Sequence, residues 1–324
     1  MALLRVSPAA YRRVTFFALL LLTVIVVTGA AVRLSGSGLG CSDWPTCEEG
    51  QLAPAEIDDA PAMIEFVNRA ITGVVSLAVI AAVLASLWRS PRRRDLTVLS
   101  LGLVAGVVAQ AVLGGLVVLF ELSPRLVMGH FLLSMVLVWN AVVLHHRAGR
   151  SDATRLPVTG STGRNLGRLL VAAAALVVFT GTVVSASGPH AGDERAERLD
   201  FFVPDVARVH GVSVVVLLAL TLGTLWLLRR DGAPGAARQA GQAFLLVLLA
   251  QAAVGYVQYF TGVPVLLVGL HVIGATAVWI AVIRLALELG SPPPAAAPPT
   301  TRRAPGAVPA STDRAAAEVA ATAP

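Results

Sequence analysis

The chain has 324 residues, of which 56% are hydrophobic and 14% are charged, and its mean hydropathy is +0.76. A composition this apolar excludes an ordinary soluble domain and is typical of a protein that crosses a membrane several times. The net charge of +6 is carried by arginine alone. These arginines do not form one basic face of the kind that binds nucleic acid, so no nucleic-acid partner is expected.

Eight apolar runs each approach the roughly 20 residues that a transmembrane helix needs. They lie at residues 14–34, 66–88, 96–120, 126–145, 169–187, 206–228, 243–260 and 265–287. The sequence therefore predicts an all-α polytopic membrane protein with eight transmembrane helices. We interpret the first run as a retained span, because no signal-peptide cleavage site with a soluble domain follows it.

Arginine is concentrated in alternate connections between these runs. The arginine-rich segments are residues 5–13, 89–94, 147–168 and 229–238, whereas residues 35–64 contain no arginine and six acidic side chains. By the positive-inside rule, the arginine-rich side is the cytoplasm. We therefore expect a multi-pass protein of the cell membrane, with both termini cytoplasmic and the loop 35–64 on the outer face.

A hairpin sequence occurs twice, at residues 110–139 and 251–279. Each copy has a Gln, a Gly four residues later, a Pro-containing turn, and then a Gly shortly before a His. His130 and His271 are 141 residues apart, and so are the two glutamines. An internal repeat of this length indicates a duplicated architecture.

The repeat extends beyond the hairpin, because residues 28–38 resemble residues 180–190 and an alignment of Asn68 with His210 keeps nearly the same offset. We therefore predict that the eight helices form two repeated four-helix bundles. The predicted divisions are an N-terminal bundle (1–146, with the outer loop 35–64), a cytoplasmic linker (147–168), a C-terminal bundle (169–289) and a disordered Pro/Ala-rich cytoplasmic tail (290–324).

Three histidines lie at a similar depth near the outer ends of predicted helices four, six and eight: His130, His210 and His271. Ionisable residues inside membrane spans are costly and indicate function. The alternative is a neutral histidine that hydrogen-bonds a neighbouring helix. Paired histidines on facing helices of a bundle ligate haem iron. His190, in an outer loop, is expected to be solvated.

Four further residues lie beside these histidines or at the corresponding position of the first half. Arg69, Arg125 and Arg208 lie at outer helix ends, where they either snorkel to lipid phosphates or bind ligand carboxylates such as haem propionates. Glu65 lies one helical turn before Asn68. It is either solvated or an acid–base or cation-stabilising group.

Cys41 and Cys47 lie in the outer loop, where an oxidising environment favours a disulfide. Their spacing is neither C-x-x-C nor a zinc-finger pattern. The pair is therefore either a structural staple or a redox-active or haem-handling group, and both interpretations stay open at this point.

These motifs together resemble the haem A synthase family over roughly residues 12–288. The resemblance rests on GSGLGCSDWPTCEEG (36–50), EFVNR (65–69) and the single histidine in each of helices four, six and eight. The family implies a membrane oxidoreductase of eight helices. Such an enzyme oxidises a methyl group of haem O to the formyl group of haem A, which terminal oxidases use.

The resemblance also implies roles for individual residues. His210 and His271 match the axial ligands of a haem b cofactor, with Arg208 beside them, and His130 matches a ligand of the haem O substrate, near Arg69 and Arg125. Glu65 matches the essential glutamate of the family. Cys41 and Cys47 match its loop cysteines.

One position departs from the family pattern, since many members have His where this chain has Asn68. Asn is a poor iron ligand, because its amide nitrogen has no free lone pair and its oxygen is a hard donor. We therefore predict that His130 is the only strong axial ligand in the N-terminal half.

Other functions fit the sequence less completely. A di-haem b-type electron-transfer protein without porphyrin chemistry leaves Glu65 without a role. A thiol oxidoreductase leaves the histidines unexplained, and the helices lack the interruptions of a transporter. The expected partners are haem O, membrane lipid, the haem O synthase and an electron acceptor that the sequence does not identify.

Overall fold

The computed structural model describes residues 5–48, 50–150, 161–233 and 235–290. Its helices are α1 (Pro8–Leu34), α2 (Ala60–Trp88), α3 (Arg94–Leu119), α4 (Pro124–Ala148), α5 (Ser161–Ser187), α6 (Val203–Arg230), α7 (Gly235–Phe260) and α8 (Val265–Leu289). All eight are long and apolar enough to cross a membrane. The predicted all-α polytopic membrane fold is therefore confirmed.

Most of the helices extend beyond their predicted apolar runs. The Ser7 side chain accepts a hydrogen bond from the N–H of Ala10, and Asp59 does the same for Ala62. Each cap is followed by a proline in the first helical turn, a pairing that is favourable at helix N-termini. As a result α2 begins six residues before the predicted start at residue 66, which places Glu65 inside the helix.

The connection between α4 and α5 is shorter than the predicted linker 147–168, because α4 continues to Ala148 and α5 begins at Ser161. Its residues 151–160 lie outside the described residues. The predicted tail 290–324 also lies outside them, apart from its first residue.

The helices pack in two closed rings. In the first four, α1 contacts α2, α2 contacts α3, α3 contacts α4, and α4 returns to α1. The last four repeat this order from α5 to α8. Each set therefore has the contacts of a four-helix bundle, in which α2 lies diagonally opposite α4, and α6 lies diagonally opposite α8.

The two rings pack against each other through α1, α4, α5 and α8. The indole Nε1 of Trp279 in α8 donates a hydrogen bond of 2.8 Å to the carbonyl of Met135 in α4. Buried side chains of both rings, among them Val138 and Trp279, belong to one continuous hydrophobic core. A buried indole N–H needs such a partner, so this contact fixes the pairing of α4 with α8.

We call the end of the helices that carries residues 35–59, 120–123, 188–202 and 261–264 the loop face. There the N–H of Gly38 donates to the carbonyl of Gly192. Arg33 donates to the carbonyl of His190 at 2.7 Å, and Nε2 of His190 donates to the carbonyl of Val263 at 2.9 Å. His190, expected to be solvated, is half-buried, and its ring holds the α5–α6 loop on the α7–α8 turn.

The outer surface of the helices is apolar, as lipid contact requires. Leu77, Leu246 and Leu266 are 68%, 70% and 73% exposed. Tyr256 and Phe260 pack together near the loop face with ring centroids 4.7 Å apart. Aromatic side chains at this depth are typical of the membrane–water interface.

Candidate haem sites

His210 of α6 and His271 of α8 meet across the diagonal of the second ring. Their ring centroids lie 6.4 Å apart, and the ring planes are inclined by 72°. A metal–imidazole bond is about 2 Å long and the ring centroid lies roughly 1 Å beyond the nitrogen, so two rings on opposite sides of one iron have centroids roughly 6 Å apart. The pair therefore has the separation that bis-histidine ligation of a haem iron requires.

The hydrogen bonds of Thr180 orient the His210 ring. The Thr180 hydroxyl donates to the carbonyls of Leu176 and Val177, at 2.9 and 3.0 Å, so its oxygen is left to accept from Nδ1–H of His210 at 3.1 Å. With its proton on Nδ1, the ring carries its free lone pair on Nε2. This is the usual arrangement of a metal-binding histidine and its supporting hydrogen bond.

A glutamine side chain holds the backbone of His271. The amide of Gln251 donates 2.8 Å to the carbonyl of His271. Nδ1 of the ring is buried and has no hydrogen-bond partner among the described residues. Burying an unpaired polar group costs about 1–3 kcal/mol, so the fold keeps this imidazole inside the ring at a cost in stability, which favours a functional role for it.

The first ring reproduces these contacts at His130 and Asn68. The amide of Gln110 donates 3.0 Å to the carbonyl of His130, and Nδ1 of this ring is also buried without a partner in the described chain. The hydroxyl of Thr28 donates 2.8 Å to Oδ1 of Asn68. Thr28 therefore stands to Asn68 as Thr180 stands to His210, which supports the alignment of the two halves.

Glycines on neighbouring helices provide the space for the imidazole rings. A Cβ atom at Gly181 would lie 3.1 Å from Cε1 of His210, one at Gly255 would lie 2.8 Å from Cε1 of His271, and one at Gly114 would lie 3.2 Å from Cε1 of His130. At Gly29, by contrast, a Cβ atom would meet nothing within 4 Å.

We expect Gly181→Ala to displace the His210 ring and to reduce the haem content of the purified protein. Overpacking of this kind costs about 1–3 kcal/mol. Gly29→Ala is the matched control, because it occupies the same position in the repeat and would contact nothing. Haem per protein and thermal stability are the measurements, and an equal response of both variants would contradict the packing argument.

Glu65 lies under the loop that carries Cys41 and Cys47, and both of its carboxylate oxygens accept hydrogen bonds. Glu65 is buried, with only 5% of its surface exposed. Oε2 accepts a 2.9 Å hydrogen bond from the N–H of Cys41, and Oε1 accepts from Nη2 of Arg69 at 2.6 Å and from its Nε at 3.1 Å. The carboxylate is thereby held in one orientation by the loop and by its own helix.

Arg69 joins Glu65 to the cysteine loop. Its Nη1 donates to the carbonyls of Asp43 and Thr46, at 3.0 and 2.8 Å. Because these contacts and the pair with Glu65 occupy most of its five N–H groups, Arg69 is a clamp on the loop. The predicted contact with a haem propionate would have to compete with them.

Cys41 and Cys47 form the predicted disulfide. Both are fully buried and pack against Ala62 in α2. Gly40 approaches the backbone of Pro61 so closely that a Cβ atom would collide with it. The loop is thus packed onto the start of α2, next to Glu65.

Asp43 stabilises the turn inside the loop. Its carboxylate accepts hydrogen bonds from the hydroxyl of Thr46 and from the N–H of Trp44. These bonds hold the pKa of Asp43 below its usual value, so the turn keeps this contribution above the ordinary carboxyl pKa and loses it as the pH falls through the lowered one. The Trp44 indole packs on Gly115 of α3.

The remaining candidate arginines are more accessible. Arg208 pairs with Asp205 at 3.1 Å, with their side chains 74% and 64% exposed. Such a surface pair is weak, so it leaves Arg208 available to a carboxylate ligand. Arg125, in the first turn of α4, is exposed.

Among the described residues, no three His, Cys, Asp or Glu side chains converge on a site for a bare metal ion. The separation of the facing histidines fits an iron whose other ligands come from a porphyrin. The fold and these side chains define a helical membrane protein with one pair of facing histidines and one related site that has a single histidine.

The chain belongs to the COX15-CtaA family of cytochrome oxidase assembly proteins, whose family model matches residues 12–192. It is similar to the heme A synthase of Listeria welshimeri serovar 6b, with 28% identity over 259 residues that cover 75% of this chain and 83% of the relative. The heme A synthase of Listeria monocytogenes serotype 4a is 27% identical over the same coverage. That of Exiguobacterium sibiricum is 29% identical over 166 residues, which are 50% of this chain and 54% of the relative.

Sequence reasoning missed the residues that support the ligands. Thr28 and Thr180 begin the matching TG pairs, and Gln110 and Gln251 begin the repeated hairpins. The repeat contained this signal, because a polar residue kept at the same place in two apolar halves needs a partner. Arg33 is one of the arginines at outer helix ends, but nothing in the sequence signalled its bonds to the carbonyls of His190 in the α5–α6 loop and Ser185 in α5.

Proposed function

We propose that this protein is a haem A synthase, which oxidises a methyl group of haem O to the formyl group of haem A for terminal oxidases. The observation that carries the proposal is the asymmetry of two related sites. One has a facing pair, His210 and His271, 6.4 Å apart. The other has His130 in α4 and the buried carboxylate of Glu65, which lies near the start of the diagonally opposite helix α2. Membership of the family and the names of its relatives support the same function.

The second ring would hold the resident cofactor, haem b. His210 and His271 would bind its iron, and the exposed Arg208 would pair with a propionate. When bound, this haem supplies one-electron chemistry that carries electrons from the substrate to an acceptor. Thr180 contributes by keeping the lone pair of His210 on Nε2.

The first ring binds the substrate haem O through His130. Of the two arginines considered for its propionates, Arg125 is exposed, whereas Arg69 is engaged with Glu65 and the cysteine loop. We therefore assign the propionate to Arg125 and the positioning of Glu65 to Arg69. A single strong axial bond suits a substrate that must enter and leave.

Glu65 acts on the methyl group that is oxidised. The methyl group loses two electrons and two protons as water adds an oxygen atom to give the alcohol. A second loss of two electrons and two protons gives the aldehyde. A carboxylate stabilises positive charge that develops at the reacting carbon and accepts a proton released there. The Cys41 N–H and Arg69 fix its direction.

We place the loop face on the outer side of the membrane and both termini in the cytoplasm. The distribution of arginine supports this orientation, since the loop 35–64 has none and the opposite connections are arginine-rich. Cys41 and Cys47 then face the oxidising side, where a disulfide persists. Labelling of the reduced cysteines by a membrane-impermeant reagent in intact cells checks the sidedness, and labelling only in inverted vesicles would contradict it.

Two partners follow from the reaction. Haem O is an insoluble product of another membrane enzyme, so its transfer from the haem O synthase to the first ring is expected to occur within the lipid. The electrons removed from the substrate pass to an acceptor. We retain the division of the chain into a substrate half and a cofactor half as part of the proposal, with the linker between them shortened to the residues between α4 and α5.

A di-haem electron-transfer protein is the second candidate, because the His210 and His271 pair would serve it equally well. The burial of Glu65 favours the synthase. An ionised carboxylate is costly to bury, and an electron carrier needs none beside its haem.

The test is the identity of the haems extracted from a bacterial host that makes haem O but has no haem A synthase of its own. We expect haem A, with some of the alcohol intermediate, only when this chain is expressed. A host that contains the folded, haem-loaded protein and accumulates only haem b and haem O would favour the electron carrier.

A further inference from the structure

The side chain of Asn68 is poorly suited to bind iron. Its Oδ1 accepts the hydroxyl proton of Thr28 at 2.8 Å, and its amide nitrogen has no free lone pair. The oxygen that remains is a hard donor, which binds haem iron poorly. The end of the side chain that Thr28 leaves unused is the NH₂ group, a hydrogen-bond donor.

The space beside Asn68 is larger than the corresponding space in the second ring. At Gly181 an added Cβ atom would lie 3.1 Å from the His210 ring, whereas at Gly29 it would meet nothing within 4 Å. The two glycines each follow the threonine that contacts position 68 or position 210. The volume that an imidazole fills in one half is therefore open in the other.

The opposite side of the first ring retains its ligand. The carbonyl of His130 is held by Gln110 as that of His271 is held by Gln251, and the His130 ring packs on Gly114 as the His271 ring packs on Gly255. The first ring thus keeps one complete half of a bis-histidine site and replaces the other half by a small amide.

We propose that the centre on His130 takes a small exogenous iron ligand on the Asn68 side, with the amide of Asn68 as hydrogen-bond donor to it. This rests on the proposed function, since it requires a haem on His130. The class of ligand is small and neutral or anionic, with an outer atom that accepts a hydrogen bond, as in carbon monoxide or cyanide. The second ring takes no such ligand, because His210 and His271 occupy both sides.

The experiment uses the full chain, purified and loaded with haem b until no more binds, then reduced and exposed to carbon monoxide. We expect about half of the bound haem to form the carbon monoxide complex. Asn68→His should abolish this reaction at unchanged haem content, because Thr28 is placed to accept from the new ring as Thr180 does. His210→Asn is the matched control, and any haem that its second ring still holds on His271 should also form the carbon monoxide complex.

A second variant tests the hydrogen bond without filling the space. Asn68→Ala should still bind carbon monoxide, with a C–O stretching frequency shifted to higher values and a roughly three- to tenfold faster dissociation, as the loss of one neutral hydrogen bond predicts. An unchanged frequency would remove the role of the amide.

Failure of this inference is distinguishable from failure of the proposed function. Wild-type protein that holds two haems and binds no carbon monoxide, or an Asn68→His variant that binds it as wild type does, overturns the inference alone. Wild-type protein that holds no haem on His130, shown by an unchanged haem content in His130→Ala, overturns both. Absence of haem A in the cells overturns the proposed function and leaves the ligand result standing.

Discussion

Glu65→Gln is expected to abolish haem A formation while both haem sites remain loaded. The amide still accepts the hydrogen bond from the Cys41 N–H, but it neither carries negative charge nor accepts a proton. Loss of a group that stabilises transition-state charge typically costs at least about 100-fold in rate. The measurement is the ratio of haem A to haem O and its alcohol in the bacterial host, with haem per protein as the check on loading.

Two controls separate chemistry from folding in this experiment. Glu65→Gln leaves Arg69 without its charge partner in a largely buried setting, which is destabilising. The double variant Glu65→Gln with Arg69→Gln removes the unpaired charge but also the Arg69 bonds to the carbonyls of Asp43 and Thr46, so stability should recover in part while haem A does not. Glu121→Gln, at an exposed position of the loop face, should change neither. Normal haem A output from Glu65→Gln would exclude the carboxylate from the mechanism.

His271→Ala should remove haem b from the second ring and, with it, all haem A formation. One axial bond and the packing of the ring on Gly255 are lost together, and His210 alone faces the space that remains. We expect the haem content of purified protein to fall by about half, and the low-spin signal of a bis-histidine iron to disappear from its electron paramagnetic resonance spectrum.

His145→Ala is the matched control for this variant. His145 also lies in a membrane helix, but it contacts the hydroxyl of Thr15 at 3.1 Å near the arginine-rich end of α1 and α4. The haem content and low-spin signal of the His145→Ala variant should equal those of the wild-type protein. If the low-spin signal persists in His271→Ala, the His210 and His271 pair is not the cofactor site.

The sequence alone predicts the eight helices because each apolar run approaches the roughly 20 residues that span the hydrocarbon layer. The helix ends were less accurate. Ser7 and Asp59 cap additional first turns of α1 and α2, and hydropathy does not register such caps. The same capping was readable in principle, because a Ser or Asp followed by Pro is a helix-start signal.

The candidate ligands could be chosen from the sequence because they are rare polar residues in apolar runs that recur at a fixed spacing. The hydrogen-bond partners of Arg69, Arg33 and His190 could not be predicted from the sequence. Each contacts backbone carbonyls of a loop distant in the chain, and any residue type offers the same carbonyl. Only the path of the loops decides those contacts.

The packing of the two rings has a further consequence. In the repeat, α1 corresponds to α5 and α4 corresponds to α8. The contact of α1 with α8 is therefore equivalent to that of α5 with α4, and the contact of α4 with α8 pairs two equivalent helices. This is the pattern of an isologous dimer, in which identical subunits would change both of their sites with every substitution. Joining both copies in one polypeptide removes that constraint. Position 68 differs from position 210 while Thr28 and Thr180 stay the same, so one site can retain its haem while its twin releases one.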